Sequence, residues 1–269
     1  MTNGSDRWNN EAFARGDISV TQRDSVLTIE LNRPEARNAQ TPSMWAALAA
    51  VGAVITADPE DITVVVIRGA GPSFSAGLDR RMFTPEGVPG QTSLAGLIGL
   101  PDAELDAAIA EFQRGFTWQR AVRPLTIAAV HGHAIGAGFQ LALACDLIFA
   151  APDATFAMRE TSLGLVPDLG GTGPLVRAVG LARATDICAT GRSVTAAEAE
   201  RIGLVARVAD DLDETVNAYA EVITATPPGA VADLLHLLAS AVDNDLDQQL
   251  AAERRAQIAR LRAITGRQG

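Results

Sequence analysis

The stretch "AVHGHAIGAGFQLALACD" at residues 129–146 places Gly132, Gly136 and Gly138 between an apolar strand and Gln140. Glycine at such a junction lets the backbone approach something closely or adopt a positive φ. A second glycine-bearing loop, "RGAGPSFSAGLD" (68–79), also follows an apolar run. Loops of this kind expose backbone N–H groups. Ala137 stands where the next helix begins, so its N–H is one of the unpaired donors of a first turn. Ala76 precedes Gly77 in a tight turn. Two converging N–H groups, one aided by a helix dipole, can hold an oxyanion; each loop taken singly also reads as a plain strand-to-helix turn. Neither loop carries GxGxxG, because the third position falls on Phe74 in one and Leu141 in the other, so a dinucleotide fingerprint is unsupported.

Proton transfer would need ionisable groups. "MRETSLGLVPDLGGT" holds Glu160 and Asp168, eight positions apart, in a largely apolar run broken by Gly164, Pro167 and Gly170-Gly171. A carboxylate in apolar surroundings has a raised pKa, as acid–base work near neutrality requires. The competing reading is a solvated loop whose Asp caps a helix. His131 and His133 form H-x-H, but a catalytic zinc site needs about three protein ligands and the remaining histidine, His236, lies in a distant helix. No metal is expected. No G-x-S-x-G elbow is present.

Positioning these groups requires a scaffold, and its pattern is α/β. "ISVTQRDSVLTIELNRP" reads as a hairpin ended by Pro34, and Thr41-Pro42 opens a helix with Pro at its first position. "ITVVVIRG" (62–69), "LTIAAVHG" (125–132) and "CDLIFA" (145–150) read as buried strands, with a helix over "GFQLALA" between the last two. Strand, helix, strand in that order predicts βαβ units. Residues 80–113, rich in Gly and Pro, predict a long mobile excursion, with a helix near 102–120. "SVTAAEAERIGL" carries a capping box, Thr195 with Glu198, and Gly203 as a stop. The tail predicts three helices broken at Pro227-Pro228 and around 243–245.

The bulk numbers narrow the function classes. A chain of 269 residues, 48% hydrophobic, suffices for one large α/β domain or a domain with an appendage. The net charge of −10 argues against nucleic acid as the main partner. All 22 basic residues are Arg; without Lys, Schiff-base chemistry and a P-loop are excluded. Cys145 and Cys188 read as buried thiols in a reducing compartment. The polar N-terminus lacks an apolar signal core, and no apolar run is long enough to span a membrane. A cytoplasmic enzyme or binding protein is expected.

Five segments then resemble one family in order and spacing: "LNRPEARNAQ", "GAGPSFSAGLD", "AAVHGHAIGAGFQLALACDLIFAAPDATFAMRE", "LGLVPDLGGTGPLVRAVG" and "GRSVTAAEAERIGLV". Over roughly residues 18–265 the chain resembles the crotonase (enoyl-CoA hydratase/isomerase) superfamily. The resemblance implies a crotonase-like spiral of ββα units, here residues 1–206, followed by a C-terminal helical trimerisation region, 207–269. It implies a homotrimer or a hexamer made of two trimers, and an acyl-CoA thioester substrate with no further cofactor. By the resemblance, the thioester oxygen sits between the N–H groups of Ala76 and Ala137. The loop of Ala76, Gly77, Leu78 and Asp79 lies against the CoA adenine. The turn bearing Arg33 and Arg37 lies beside the pantetheine and phosphates.

Departures from the pattern bear on the reaction. Typical hydratases carry two glutamates; Glu160 matches the second, but the first is Gln140. Gln cannot exchange a proton, though it can orient a water or hold the thioester. Asp168 stands where typical hydratases have Gly, and resembles the proton shuttle of dienoyl-CoA isomerases and ring-epoxide isomerases of phenylacetate breakdown. The expected activity is therefore an acyl-CoA isomerase that moves a C=C bond through an enolate. The alternatives are an enoyl-CoA hydratase using Glu160 and a low-turnover acyl-CoA-binding homologue.

Overall fold

A computed structural model describes residues 6–8, 11–59 and 61–265. Its strands are β1 (Ile18–Arg23), β2 (Val26–Leu31), β3 (Val64–Gly69), β4 (Leu125–Val130), β5 (His133–Ile135), β6 (Leu147–Ala150), β7 (Thr155–Ala157), β8 (Val194–Thr195) and β9 (Arg207–Val208). Its helices are α1 (Glu11–Arg15), α2 (Pro42–Ala57), α3 (Leu94–Ile98), α4 (Asp102–Thr117), α5 (Ala137–Ala144), α6 (Thr172–Val179), α7 (Leu181–Thr190), α8 (Ala196–Arg201), α9 (Leu212–Thr224), α10 (Ala230–Ser240) and α11 (Leu246–Thr265).

The main sheet has the order β1-β2-β3-β4-β6-β9. The β1–β2 hairpin is antiparallel and the other pairings are parallel. β3 is continuous in apolar residues because both of its faces are covered. Val65 and Ile67 face the core that includes α2 and α5. Val64 and Val66 face the opposite layer, against Val216 and Ala220 of α9, with Leu235 of α10 packed alongside. The three-stranded second sheet, β5-β7-β8, stands beside α5. Strand, crossover and strand thus deliver the ends of β3 and β4, and the loops after them, to one edge of the molecule.

The elements follow the sequence pattern with a few differences. Thr41 caps α2 by accepting from the Met44 N–H, and Pro42 opens the helix. Thr195 caps α8 by accepting from the Glu198 N–H, but the Glu198 carboxylate pairs with Arg192 instead of reaching back to the cap. The strand expected at 145–150 starts at Leu147, because Asp146 turns in to accept from the Thr126 N–H and hydroxyl at 2.8 Å. Cys145 is buried, whereas Cys188 is only half-buried. The excursion from residue 80 contains a 3-10 turn at Arg80–Phe83 and the short α3 before α4 begins. The tail forms α9, α10 and α11, broken where expected. Among the described residues no helix is long and apolar enough to cross a membrane.

Candidate functional site

Three turns meet at the edge below β3 and β4, and each is fixed by backbone hydrogen bonds. Asn38, at a positive φ of 52°, is the clamp between the first two. Its amide donates to the carbonyls of Ala70 (2.9 Å) and Ser73 (2.8 Å), while its oxygen accepts from the Arg33 N–H (2.9 Å). Gln40 takes the Trp45 indole N–H at 2.8 Å and donates to the Ser75 hydroxyl at 3.1 Å. The third turn is pressed against the second. A Cβ on Gly77 would lie 2.5 Å from the Ile135 carbonyl oxygen, and one on Gly138 would lie 2.6 Å from that of Ser75. Gly77 also holds φ at 88°, which an L side chain rarely adopts. The glycines therefore serve close contact between loops.

That contact decides which N–H groups are available. The Ala76 N–H donates to the Arg37 carbonyl at 2.9 Å, so it is not the free donor that the sequence suggested. The next residues alternate: Gln40 donates to the Gly77 carbonyl and accepts from the Asp79 N–H, which leaves the Leu78 N–H facing the other way. Among the described residues neither the Leu78 nor the Ala137 N–H has a hydrogen-bond partner. Gly77 brings these two together, since its hypothetical Cβ lies 3.7 Å from the Ala137 nitrogen. Ala137 opens the eight-residue α5, whose dipole favours negative charge there. Leu78 was missed because its availability depends on Gln40, 38 positions earlier, a pairing no local motif announces.

The arginine expectations divide. Arg33 is buried and committed to the protein: it pairs with Asp79 at 3.0 Å and Asp17 at 3.3 Å and donates to the Ala39 carbonyl. Asp79 answers it and also binds Arg81. Hydrogen bonds from Arg81, then from Arg33, hold the Asp79 carboxyl well below the usual carboxylate range. These two residues are a strut under the loop, and their side chains are engaged with each other. Arg37 is exposed, at a φ of 50°, with no side-chain partner among the described residues.

On the opposite side stand the carboxylates. Glu160 begins a 3-10 turn after β7, and its carboxylate lies against Gly136, where an added Cβ would be 3.4 Å from Oε1. Burial pushes its pKa up, and the charge of Asp168 adds to the rise. Asp168 is exposed, yet desolvation still pushes its pKa up. Gln140 is buried between them. Its amide N–H donates to Glu160 Oε1 at 2.8 Å, and its oxygen accepts from the N–H groups of Leu169 (2.9 Å) and Gly171 (3.3 Å). Among the described residues Glu160 Oε2 is buried without a partner. Gln113 of α4 holds the Asp168 carbonyl at 2.7 Å, a contact the sequence did not signal.

The histidines have structural partners. His131 bonds the Gly71 carbonyl at 2.8 Å, and His133 bonds the Ser73 hydroxyl at 3.2 Å. Among the described residues no three His, Cys, Asp or Glu side chains gather as a metal-holding group.

Known proteins resemble this chain over most of its length. The family model for enoyl-CoA hydratase/isomerase matches residues 21–263. The probable enoyl-CoA hydratase echA8 of Mycobacterium tuberculosis is 37% identical over 240 residues, covering 88% of this chain and 87% of its own. The 1,2-epoxyphenylacetyl-CoA isomerase of Escherichia coli is 34% identical over 249 residues, covering 91% and 90%. A protein of Thermobifida fusca, solved in complex with acetoacetyl-CoA, is 43% identical and superposes with a TM-score of 0.90, covering 95% of this chain and 99% of that one.

Proposed function

Because the chain belongs to the enoyl-CoA hydratase/isomerase family, we propose that it is an acyl-CoA isomerase moving a C=C bond through an enolate. The observation that carries this reading is the commitment of Gln140. An amide fills the place of a first acid and is bonded at both ends, while the second titratable group beside Glu160 is Asp168.

The cycle runs as follows. The Leu78 and Ala137 N–H groups hold the thioester oxygen, Leu78 replacing Ala76 in that role. Ionised Glu160 takes a proton from a carbon adjacent to the C=C bond. The C–H electron pair moves into the carbon chain and negative charge gathers on the oxygen, where two preorganised donors stabilise it. Protonated Asp168 gives its proton to a carbon further along, and the electrons return from the oxygen to fix the shifted double bond. The proton on Glu160 then passes to Asp168. Two neighbouring carboxyls with raised pKa values suit this division, because one can hold a proton while the other is charged. Arg37 meets the CoA phosphates, for which a guanidinium fork is suited. The cycle needs the CoA thioester and no further cofactor.

A hydratase reading is favoured by the name of the relative echA8. In it Glu160 alone would add water, oriented by the second N–H of Gln140. The two readings separate in deuterated water, with 2-enoyl-, 3-enoyl- and 2,5-dienoyl-CoA thioesters offered. Solvent deuterium in a shifted-alkene product, without 3-hydroxyacyl-CoA, is expected; rapid formation of 3-hydroxyacyl-CoA would overturn the isomerase.

The 207–269 segment is proposed as the oligomerisation region of a homotrimer, or of a hexamer of two trimers. Leu238, Leu246, Leu250, Ile258 and Leu261 of α10 and α11 are exposed, which supports burial against other subunits. Sedimentation velocity should show no monomer at micromolar concentration.

A further inference from the structure

We infer that Gln140 is a positioning residue that ties the Glu160 carboxylate to the backbone beside Asp168, a tie that uses a donor and an acceptor together, as an amide supplies them. This rests on the reading above, in which Glu160 and Asp168 transfer the proton.

The geometry carries it. Gln140 is 1% exposed, on the first turn of α5. One end of its side chain donates to Glu160 Oε1, and the other accepts from the N–H groups of Leu169 and Gly171, one and three positions after Asp168. One side chain therefore links the Glu160 carboxylate to the backbone that carries Asp168. Gly171 is shaped to it: a Cβ there would lie 2.8 Å from Gln140 Cγ. Segment 161–166 between the two carboxylates is exposed throughout, and beyond Gln140 the loop is tied by the Thr161 hydroxyl to the Cys188 carbonyl and by Gln113 to the Asp168 carbonyl.

Residue chemistry selects the amide. An amide presents an N–H and a C=O at any pH. A carboxyl could present both only while protonated; once ionised it would be acceptor-only and would repel Glu160. The donated N–H favours the charged form of Glu160, against the burial that disfavours it. It also fills one lone-pair region of Oε1 and leaves Oε2 as the free oxygen. The other ionisable groups facing Glu160 are the Asp168 carboxyl and the Cys188 thiol of α7, whose pKa is raised by burial and then by Glu160.

Two variants test this on the full-length protein. Gln140→Met removes both bonds at nearly constant volume. It should lower kcat about tenfold, the scale of a lost hydrogen bond to a charged group, with KM nearly unchanged, and move the acid limb of the kcat profile to higher pH. Gln140→Glu keeps the shape. It should retain activity only while the introduced carboxyl and Glu160 share a proton, so that its alkaline limb moves to lower pH. Carbon-13 NMR of the Glu160 carboxyl in the ligand-free protein follows the same ionisation without turnover, and should show it titrating at higher pH in Gln140→Met. If that variant does not fold, the alkaline limb of Gln140→Glu decides. Parent-like limbs and a parent-like Glu160 titration would overturn the inference. Hydration in place of isomerisation would overturn only the reaction assigned above, because the NMR titration is independent of the product.

Discussion

The two sides of the site are built in different ways. The side that offers N–H groups is over-determined: Asn38, Gln40, the Arg33–Asp79 pair and the close approaches at Gly77 and Gly138 all fix the same few backbone atoms. The side that offers carboxylates joins half-buried Glu160 to exposed Asp168 through an exposed segment held by Gln140, Gln113 and Thr161. Stabilising a developing oxyanion demands donors that do not reorganise during the reaction. Proton transfer depends more on which ionisable groups stand nearby and on their pKa values. On the proposed reading, a rigid pair of N–H donors facing a more lightly braced carboxylate side would serve different reactions by changes on the second side alone.

The largest effects should come from the carboxylates and should leave the fold intact. Asp168→Asn and Glu160→Gln should each reduce isomerisation by about 10²–10⁴-fold, the scale of a lost general acid or base, with circular dichroism unchanged. Loss of activity with loss of fold would show that this loop is structural after all. On the rigid side, Gly77→Ala forces a Cβ onto the Ile135 carbonyl at a positive φ. It should cost about 10²-fold in kcat, as a displacement near 1 Å can, together with a lower Tm. A silent Gly77→Ala would remove the contrast.

A smaller effect belongs to Arg37. Arg37→Ala should raise KM for CoA esters by less than about tenfold, since it is an exposed charge, and leave turnover of a short pantetheine thioester unchanged. Equal losses on both substrates would assign it a folding role. The smallest effect is on stability. Burial raises the Glu160 pKa in the folded state. Its contribution to stability is therefore present below the usual carboxylate range and is lost as pH rises through its folded pKa. Glu160→Gln removes that loss, so the Tm of the variant should gain on the parent as pH rises through this window. A constant difference would contradict the pKa shift.

The same contrast explains what was legible in the sequence. β3, β4 and α5 announce themselves through continuous apolar runs and a glycine-rich junction, and Glu160 and Asp168 stand out as carboxylates in apolar surroundings. β5 and β7, three residues each, carry no periodic signal. Ala76 could not be told from Leu78, because the choice depends on the Arg37 carbonyl and on Gln40 across the fold. That Arg33 pairs with Asp79, 46 positions on, is likewise a contact no local motif announces. Local chemistry shows in residue types, whereas the availability of a donor depends on distant pairings.

A crystal structure with a non-reactive acyl-CoA tests the central claim most directly. The thioester oxygen should lie about 2.7–3.1 Å from both the Leu78 and the Ala137 nitrogens, with Glu160 and Asp168 beside the acyl carbons. An oxygen bound at the Ala76 N–H, or acyl carbons out of reach of both carboxylates, would contradict it.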